Sequence, residues 1–197
     1  MNLGYWLRHP RMIVPRVKFW IFERRNPEKP WLCEGTIAYL DRALSRNMCG
    51  VEFGSGRSTQ WLAARMGRLL SIEQSPEWFT VVTEQLRHAG IANVDIRLIL
   101  LEHPLLEPER DTYDPLPAYV GVLEEFEDIS LDFVFVDGHY RTTCIKAAPA
   151  KLRSGGLLAV DDTNMWDASG GPPVPATWRC VDSSTNGIKT AKIWQKP

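Results

Sequence analysis

From residue 36 onward, apolar positions recur first at helical spacing, then in short unbroken runs, with Gly, Pro and Asn between the segments. That alternation is the mark of βαβ units, in which a crossover helix returns the chain to a parallel strand buried on both faces. Thr36 to Arg46 places Ile37, Leu40 and Leu44 on one stripe and predicts an amphipathic helix leading into a first strand, Met48 to Phe53. Ser58 to Met66 predicts a second helix, and Leu69 to Ile72 a second strand ending at Glu73. Ser75-Pro76 offers a capping hydroxyl and a proline at the first helical position, and Gly90 a stop, so a third helix lies between them. A strand at Val94 to Leu100 follows.

Between Glu102 and Asp128 the prolines Pro104, Pro108, Pro115 and Pro117 interrupt an acidic stretch, which predicts a surface excursion with at most one short helix. Excursions of that length tend to be functional. Leu131 to Val136 is an apolar run ending at Asp137-Gly138; a helix through Leu152, a Gly155-Gly156 turn and a strand from Leu157 to Val160 follow, ending at Asp161-Asp162. Thr177 to Val181 and Ile188 to Trp194, joined through Asn186-Gly187, predict an antiparallel hairpin on one edge. The expected fold is an α/β, Rossmann-like, doubly wound seven-stranded sheet, mainly parallel with the last strand antiparallel. It occupies residues 32–197 and follows a basic, aromatic N-terminal helical extension, residues 1–31.

Composition narrows the function. With 197 residues and 44% hydrophobic content the chain has material for one full core. A formal charge of -1 lacks the broad basic face that phosphates require, so no nucleic-acid partner is expected. The balance conceals an asymmetry: residues 1–31 carry seven Lys/Arg against two Glu, a local +5, and the remainder carries -6. Within that leader, Arg16 to Arg25 puts Val17, Trp20 and Ile21 on one side. Such a stripe fits packing on the domain or on a second subunit of a homodimer, the commoner outcome, and it also fits peripheral contact with anionic lipid. Cys33, Cys49, Cys144 and Cys180 lack the paired spacing of a zinc site, and prolines and bases cut every apolar run short of a signal or membrane span. Reduced thiols and a cytoplasmic location are expected.

The chemistry starts at Gly54-Ser55-Gly56, between a buried strand and a helix, where glycines let a ligand approach the backbone. Nineteen positions after Gly54, at the tip of the next strand, Glu73 can accept hydrogen bonds from both hydroxyls of a ribose. A tight turn that holds no ligand is the bland alternative. Dinucleotide binding uses similar geometry, but Thr59 stands where a third glycine belongs.

Glu52-Phe53-Gly54-Ser55-Gly56 resembles the first motif of the class I S-adenosylmethionine (SAM)-dependent methyltransferases, Glu73 their ribose-binding acid, and Asp137 the residue that ends their fourth strand. Val136-Asp137-Gly138-His139, with the run from Gly155 to Asp162, resembles one subgroup of that family, distantly similar to catechol-type O-methyltransferases. The resemblance implies SAM as cofactor, contacted by Glu52, Gly54, Ser55, Gly56, Ser58, Thr59, Glu73 and Asp137, with the adenine near Leu100 to His103. It also suggests Mg²⁺ on Asp137, Asp161 and Asp162, although Asp162 stands where the catechol-type pattern has an amide. Clustered carboxylates repel unless neutralised, and an all-oxygen set suits such a cation; otherwise Asp137 faces the cofactor and the other two cap the next loop.

His139 is the candidate catalytic base, with Asp137 bordering the reacting centre. Arg141 pairs either with an acidic group of the substrate or with a neighbouring Asp, and Trp31 either lines the cofactor mouth or packs in the core. The expected activity is SAM-dependent methylation of a small-molecule acceptor, at oxygen. The alternatives are a non-catalytic SAM- or nucleoside-binding module of the same fold and, third, an NAD-dependent oxidoreductase.

Overall fold

The computed structural model describes residues 13–104, 107, 109–110 and 112–197. In chain order the elements are α1 (Ile13–Arg25), α2 (Glu34–Ala43), β1 (Cys49–Phe53), α3 (Arg57–Ala63), β2 (Arg68–Glu73), α4 (Pro76–His88) and β3 (Val94–Leu98). After the excursion come α5 (Ala118–Gly121), running into a 3₁₀ turn (Val122–Glu125), then β4 (Leu131–Val136), α6 (Arg141–Lys151) and β5 (Leu152–Val160). A 3₁₀ helix (Thr163–Ser169) leads to β6 (Arg179–Thr185) and β7 (Thr190–Gln195).

The sheet order is β3-β2-β1-β4-β5-β7-β6. β1 to β5 pair in parallel, whereas β7 runs antiparallel to both β5 and β6, so the terminal hairpin inserts its second strand against the parallel sheet. Register decides where a site can form. Phe53 lies level with Ile72 and Val136, and Val136 with Val160, so the chain leaves β1, β2, β4 and β5 along one edge. Gly54, Glu73, Asp137 and Asp161 are the next residues out, at the carboxyl ends of the strands where open α/β sheets bind ligands.

Period-two alternation divides the apolar residues between the two faces. Val51, Phe53, Leu70, Ile72, Val134, Val136, Leu158 and Val160 pack with Tyr119, Val120, Leu123, Cys144, Ile145 and Ala148. On the other face Leu69, Phe133, Phe135, Leu157, Ala159 and Ile193 pack with Ile37, Leu40, Trp61, Leu62 and Met66. The α4 cap is as expected, with the Ser75 hydroxyl accepting from the Trp78 N–H.

Three expectations need correction. The Gly155-Gly156 turn lies inside β5, which already begins at Leu152, because Gly155 donates to the Lys196 carbonyl and Gly156 accepts from the Lys196 N–H. The hairpin strands start later than the sequence suggests, at Arg179 and Thr190. In α1 the packed side carries Phe19, which is buried, and Phe22, which joins the second cluster, whereas Val17, Trp20 and Ile21 face solvent. The part of the extension before Ile13 lies outside the described residues. Among the described residues no helix is long and apolar enough to cross a membrane.

Candidate functional site

A cleft of about 720 Å³ opens along the carboxyl edge of β1, β2 and β4; Gly54, Ser55, Glu73, Asp137, His139 and Arg141 are among the residues that line it. Its first wall is the loop between β1 and α3. Gly54 has φ +93, and a Cβ there would stand 2.8 Å from the Gly138 backbone, so conformation and space both require glycine. Gly56 is different. A Cβ on it would meet only the Trp78 Nε1, at 3.7 Å, an ordinary contact. The protein itself therefore does not need glycine at 56, and the bare backbone leaves room beside a small pocket shared by Ser55, Arg57, Trp31 and Trp78.

Two carboxylates hold this loop from opposite sides. Glu52 is fully buried beneath it and accepts hydrogen bonds from the Thr59 hydroxyl at 2.7 Å and the Ser71 hydroxyl at 2.6 Å. Thr59 in turn accepts from the Gly56 N–H at 2.9 Å. Burial raises the Glu52 pKa from 4.5 to about 7, against the opposing pull of the Ser58, Ser71 and Thr59 hydroxyls. Glu52 and Thr59 thus set the loop's shape from below and are not among the cleft-lining residues, and Ser58 borders the small pocket.

Glu73 lies at the cleft surface and is 2% exposed. One oxygen accepts from the Ser55 N–H at 3.1 Å and the Ser55 hydroxyl at 2.7 Å, and the other from the N–H groups of Gln74 and Ser75, both at 2.9 Å. The loop is tied from above as well, where the Trp78 indole N–H donates to the Ser55 carbonyl at 2.7 Å. Trp31, 43% exposed, stacks on Trp78 with ring centroids 6.3 Å apart, and the Arg57 guanidinium lies 5.0 Å from the Trp31 ring centroid. Trp31 therefore stands at the mouth and not in the core.

The second wall is the strand-tip acid cluster. Oxygens of Asp137, Asp161 and Asp162 lie within 4.8 Å of one another, as the sequence anticipates. Arg141, in the first turn of α6, folds back over them. Its Nε donates to the Gly138 carbonyl, Nη1 to the Asp161 carbonyl and the Asp162 carboxylate, and Nη2 to the carbonyl and carboxylate of Asp137, at 2.9 to 3.3 Å. A guanidinium has five N–H donors, and all five are used within the fold. Of the two roles open to Arg141, the structure takes the neighbouring Asp. Asp161 is wholly buried and pairs with Lys189, which also donates to the Trp31 carbonyl at 2.6 Å. One Asp161 oxygen, Oδ1, has no partner among the described residues. Burial, then the neighbouring Asp161, raises the Asp137 pKa; burial likewise raises that of Asp161, against the attraction of Lys189.

His139 lines the cleft beside Asp137. Burial lowers its pKa, with Glu109 pulling the other way, which favours the neutral imidazole a base needs. Gly138 is held to glycine, because a Cβ there would be 2.1 Å from the Tyr119 hydroxyl. The excursion closes the third side. Glu107 and Glu109 line the cleft, and the Glu109 carboxylate accepts from the Arg141 and Thr142 N–H groups at 2.6 and 3.2 Å, capping α6. His103, Tyr113 and Tyr140 cluster behind it, with centroid distances of 4.9 to 6.0 Å. Sequence reasoning missed Glu109, Trp78 and Lys189; a carboxylate in a proline-rich excursion was a signal for the first, and nothing local marked the other two.

No protein-family model matches the chain, and no curated protein sequence matches it. Solved structures do. A candidate methyltransferase of Escherichia coli, yhhF, superposes with a TM-score of 0.62 at 15% identity, over 83% of this chain and 84% of that one. A methyltransferase-like protein from Silicibacter pomeroyi gives 0.60 at 20% identity, over 86% and 89% of the two chains. SMU.1697c from Streptococcus mutans, solved in complex with SAH, gives 0.58 at 13% identity, over 82% and 96%. The chain has the class I methyltransferase fold.

Proposed function

We propose that the chain is a SAM-dependent methyltransferase that acts on a small molecule, at oxygen. The observation that carries the reading is Gly56, a glycine the protein's own packing does not require, set in a loop whose neighbour Ser55 is clamped by Glu73. The residues fit the cofactor: bare backbone at 54–56 for the methionine part, a carboxylate at Glu73 that would exchange its Ser55 hydroxyl for the ribose hydroxyls, and indole faces at Trp31 and Trp78 at the mouth. Bound SAM supplies an electrophilic methyl group on a sulfonium.

The protein's own part is alignment and proton removal. Glu52, through Thr59, fixes the Gly56 N–H, and Arg141 locks the ends of β4 and β5, so the two walls keep their spacing. Asp137 presents its carboxylate to the cleft, and neutral His139 takes the acceptor's hydroxyl proton. The small-molecule assignment draws on the size of the cleft and on its acidic rim of Glu107, Glu109 and Asp162, which would repel a phosphate backbone. The fold alone does not decide the acceptor, since an rRNA methylase from Streptococcus thermophilus shares it. Four free cysteines, two of them buried, accord with a reducing, cytoplasmic setting.

A second reading adds Mg²⁺ at Asp137, Asp161 and Asp162, favoured by the unpartnered Asp161 Oδ1. Arg141 and Lys189 already place two positive charges on these three acids, so a divalent ion would compete with them for the same carboxylates.

Isothermal titration of wild type and Glu73→Ala with SAM and S-adenosylhomocysteine, with and without Mg²⁺, tests the reading. Wild type binds both, and Glu73→Ala loses about 1.5–3 kcal/mol, the usual worth of hydrogen bonds to a charged group. Binding of neither ligand by wild type overturns the assignment, and an absolute requirement for Mg²⁺ promotes the second reading. Binding without turnover of any hydroxylated acceptor would favour the non-catalytic module.

A further inference from the structure

α1 carries two apolar sides, and the domain uses one of them. Phe19 is buried, Phe22 packs into the second core cluster, and Pro15 lies against Gly187 of the β6–β7 turn. On the opposite side Ile13, Val14, Val17, Trp20 and Ile21 are 43%, 60%, 49%, 49% and 37% exposed. These positions follow i, i+4 and i+3 spacing, so they form one continuous stripe along the helix. Exposed Arg16, Lys18, Arg24 and Arg25 flank it, and Glu23 is the single acid in α1. The Arg24 guanidinium rests 4.0 Å from the Trp20 ring centroid, leaving an indole and a cation side by side at the surface.

We propose that this outward face of α1 docks the protein on an anionic lipid bilayer, with the Val17–Trp20–Ile21 stripe at the acyl boundary and the flanking bases on the headgroups. Because Phe19 and Phe22 fill the inner side, α1 as a whole is not one-sided, but the face left outward, an apolar stripe with an indole at one border and Lys and Arg around it, has the composition of a membrane-interface surface, and anionic headgroups complement the fringe. The charge is local: among the described residues, 13–31 carry five Lys/Arg against Glu23 and Glu28, a net +3, and four of the five bases belong to α1. A second copy fits less well. Two-fold pairing of α1 would set the same four bases against themselves, and a head-to-tail contact onto the acidic body would give a ring or a filament in place of a two-fold dimer. The inference concerns a surface away from the cleft and holds whatever the cleft's chemistry proves to be.

Flotation of the full chain with vesicles tests it, using phosphatidylcholine alone and an equimolar mixture with phosphatidylglycerol. The protein floats with the anionic vesicles, stays behind with phosphatidylcholine alone, and is released by high salt. The double variant Trp20→Glu/Ile21→Glu and the double variant Arg24→Glu/Arg25→Glu each weaken vesicle binding by more than about tenfold, keeping the wild-type melting profile because all four residues are exposed. Val81→Glu, at an exposed position on α4, binds vesicles as wild type does. Failure of wild type to float, or flotation indifferent to Trp20→Glu/Ile21→Glu, overturns the proposal. So does a wild-type dimer in light scattering that the same double variant makes monomeric, since the stripe then pairs two copies.

Discussion

The two walls of the cleft are built on opposite principles. The strand-tip wall is braced from within: Arg141 gives two donors to the Asp137 and Asp162 carboxylates and three to the backbone carbonyls of Asp137, Gly138 and Asp161, and the Lys189 ammonium pairs with Asp161, whose Oδ1 is left without a partner among the described residues. The glycine wall is open, because Gly56 leaves unfilled space that no packing argument requires. Charge alone therefore does not identify the receptive side of a site. Three carboxylates at a sheet edge look like the active element, yet on the proposed reading the missing Cβ is the feature left for a ligand.

The contrast can be broken most directly at Lys189. Lys189→Met strips the counter-charge from a carboxylate with no exposure, and such losses cost about 3–5 kcal/mol. Urea denaturation is expected to show that loss above neutral pH and a smaller one toward acid pH, because burial raises the Asp161 pKa and a protonated carboxyl needs no counter-charge. Affinity for SAM in the folded fraction should stay near wild type. A large affinity loss at unchanged stability would place Lys189 on the receptive side and erase the distinction.

A pair of alanines sharpens the same contrast within the glycine wall. Gly54→Ala forces a Cβ into the Gly138 backbone at positive φ and is expected to cost about 2–4 kcal/mol of stability. Gly56→Ala should change stability by less than about 1 kcal/mol and still weaken SAM binding about tenfold or more, read by titration. Equal stability losses in the two variants would mean that Gly56 serves the fold alone.

A further effect falls on pH dependence. Glu52 has a folded-state pKa of about 7 against its usual 4.5, so folding takes up a proton between these values. The stability this group contributes is whole below about 4.5 and falls as pH rises through 7. Glu52→Gln, neutral throughout, should therefore lose that slope and gain on wild type by about 2 kcal/mol between pH 5 and pH 8. Parallel stability curves for the two proteins would show that Glu52 is already ionised in the fold.

Much of this was legible in the chain, and the limits have physical causes. Strand ends at Phe53, Glu73, Val136 and Val160 were readable because an apolar run stops where the sheet meets the cleft, and the acids that follow mark the edge. Lys189 was not readable, since its partner Asp161 is brought to it by the antiparallel return of β7, and no spacing rule links positions 28 residues apart on antiparallel strands. α1 shows a different limit. Its helix was predicted and found, but the stripe left open to the domain, a second subunit or lipid points away from the domain, because a helix apolar on two opposite sides gives no internal sign of which the domain claims. The β6–β7 turn and α2 decide that by offering a surface to Pro15, Phe19 and Phe22. The turn read at Gly155-Gly156 is present as an irregularity inside β5, where Gly155 takes φ +76 and the pairing with β4 jumps from Leu152 to Leu157; pairing to Lys196 is what keeps the residues before it in the strand.

The insertion of β7 between β5 and β6 carries a consequence for synthesis. The last strand made is interior to the sheet, so a nascent chain on the ribosome exposes the unpaired edge of β5, and with it Leu158 and Val160, until β7 leaves the exit tunnel. The acid cluster is likewise incomplete until then, since Lys189 emerges just ahead of β7. Emergence of β7, and not translation of the first five strands, sets the moment at which the sheet beside the cleft is complete, and chaperone occupancy on stalled chains should persist up to that point.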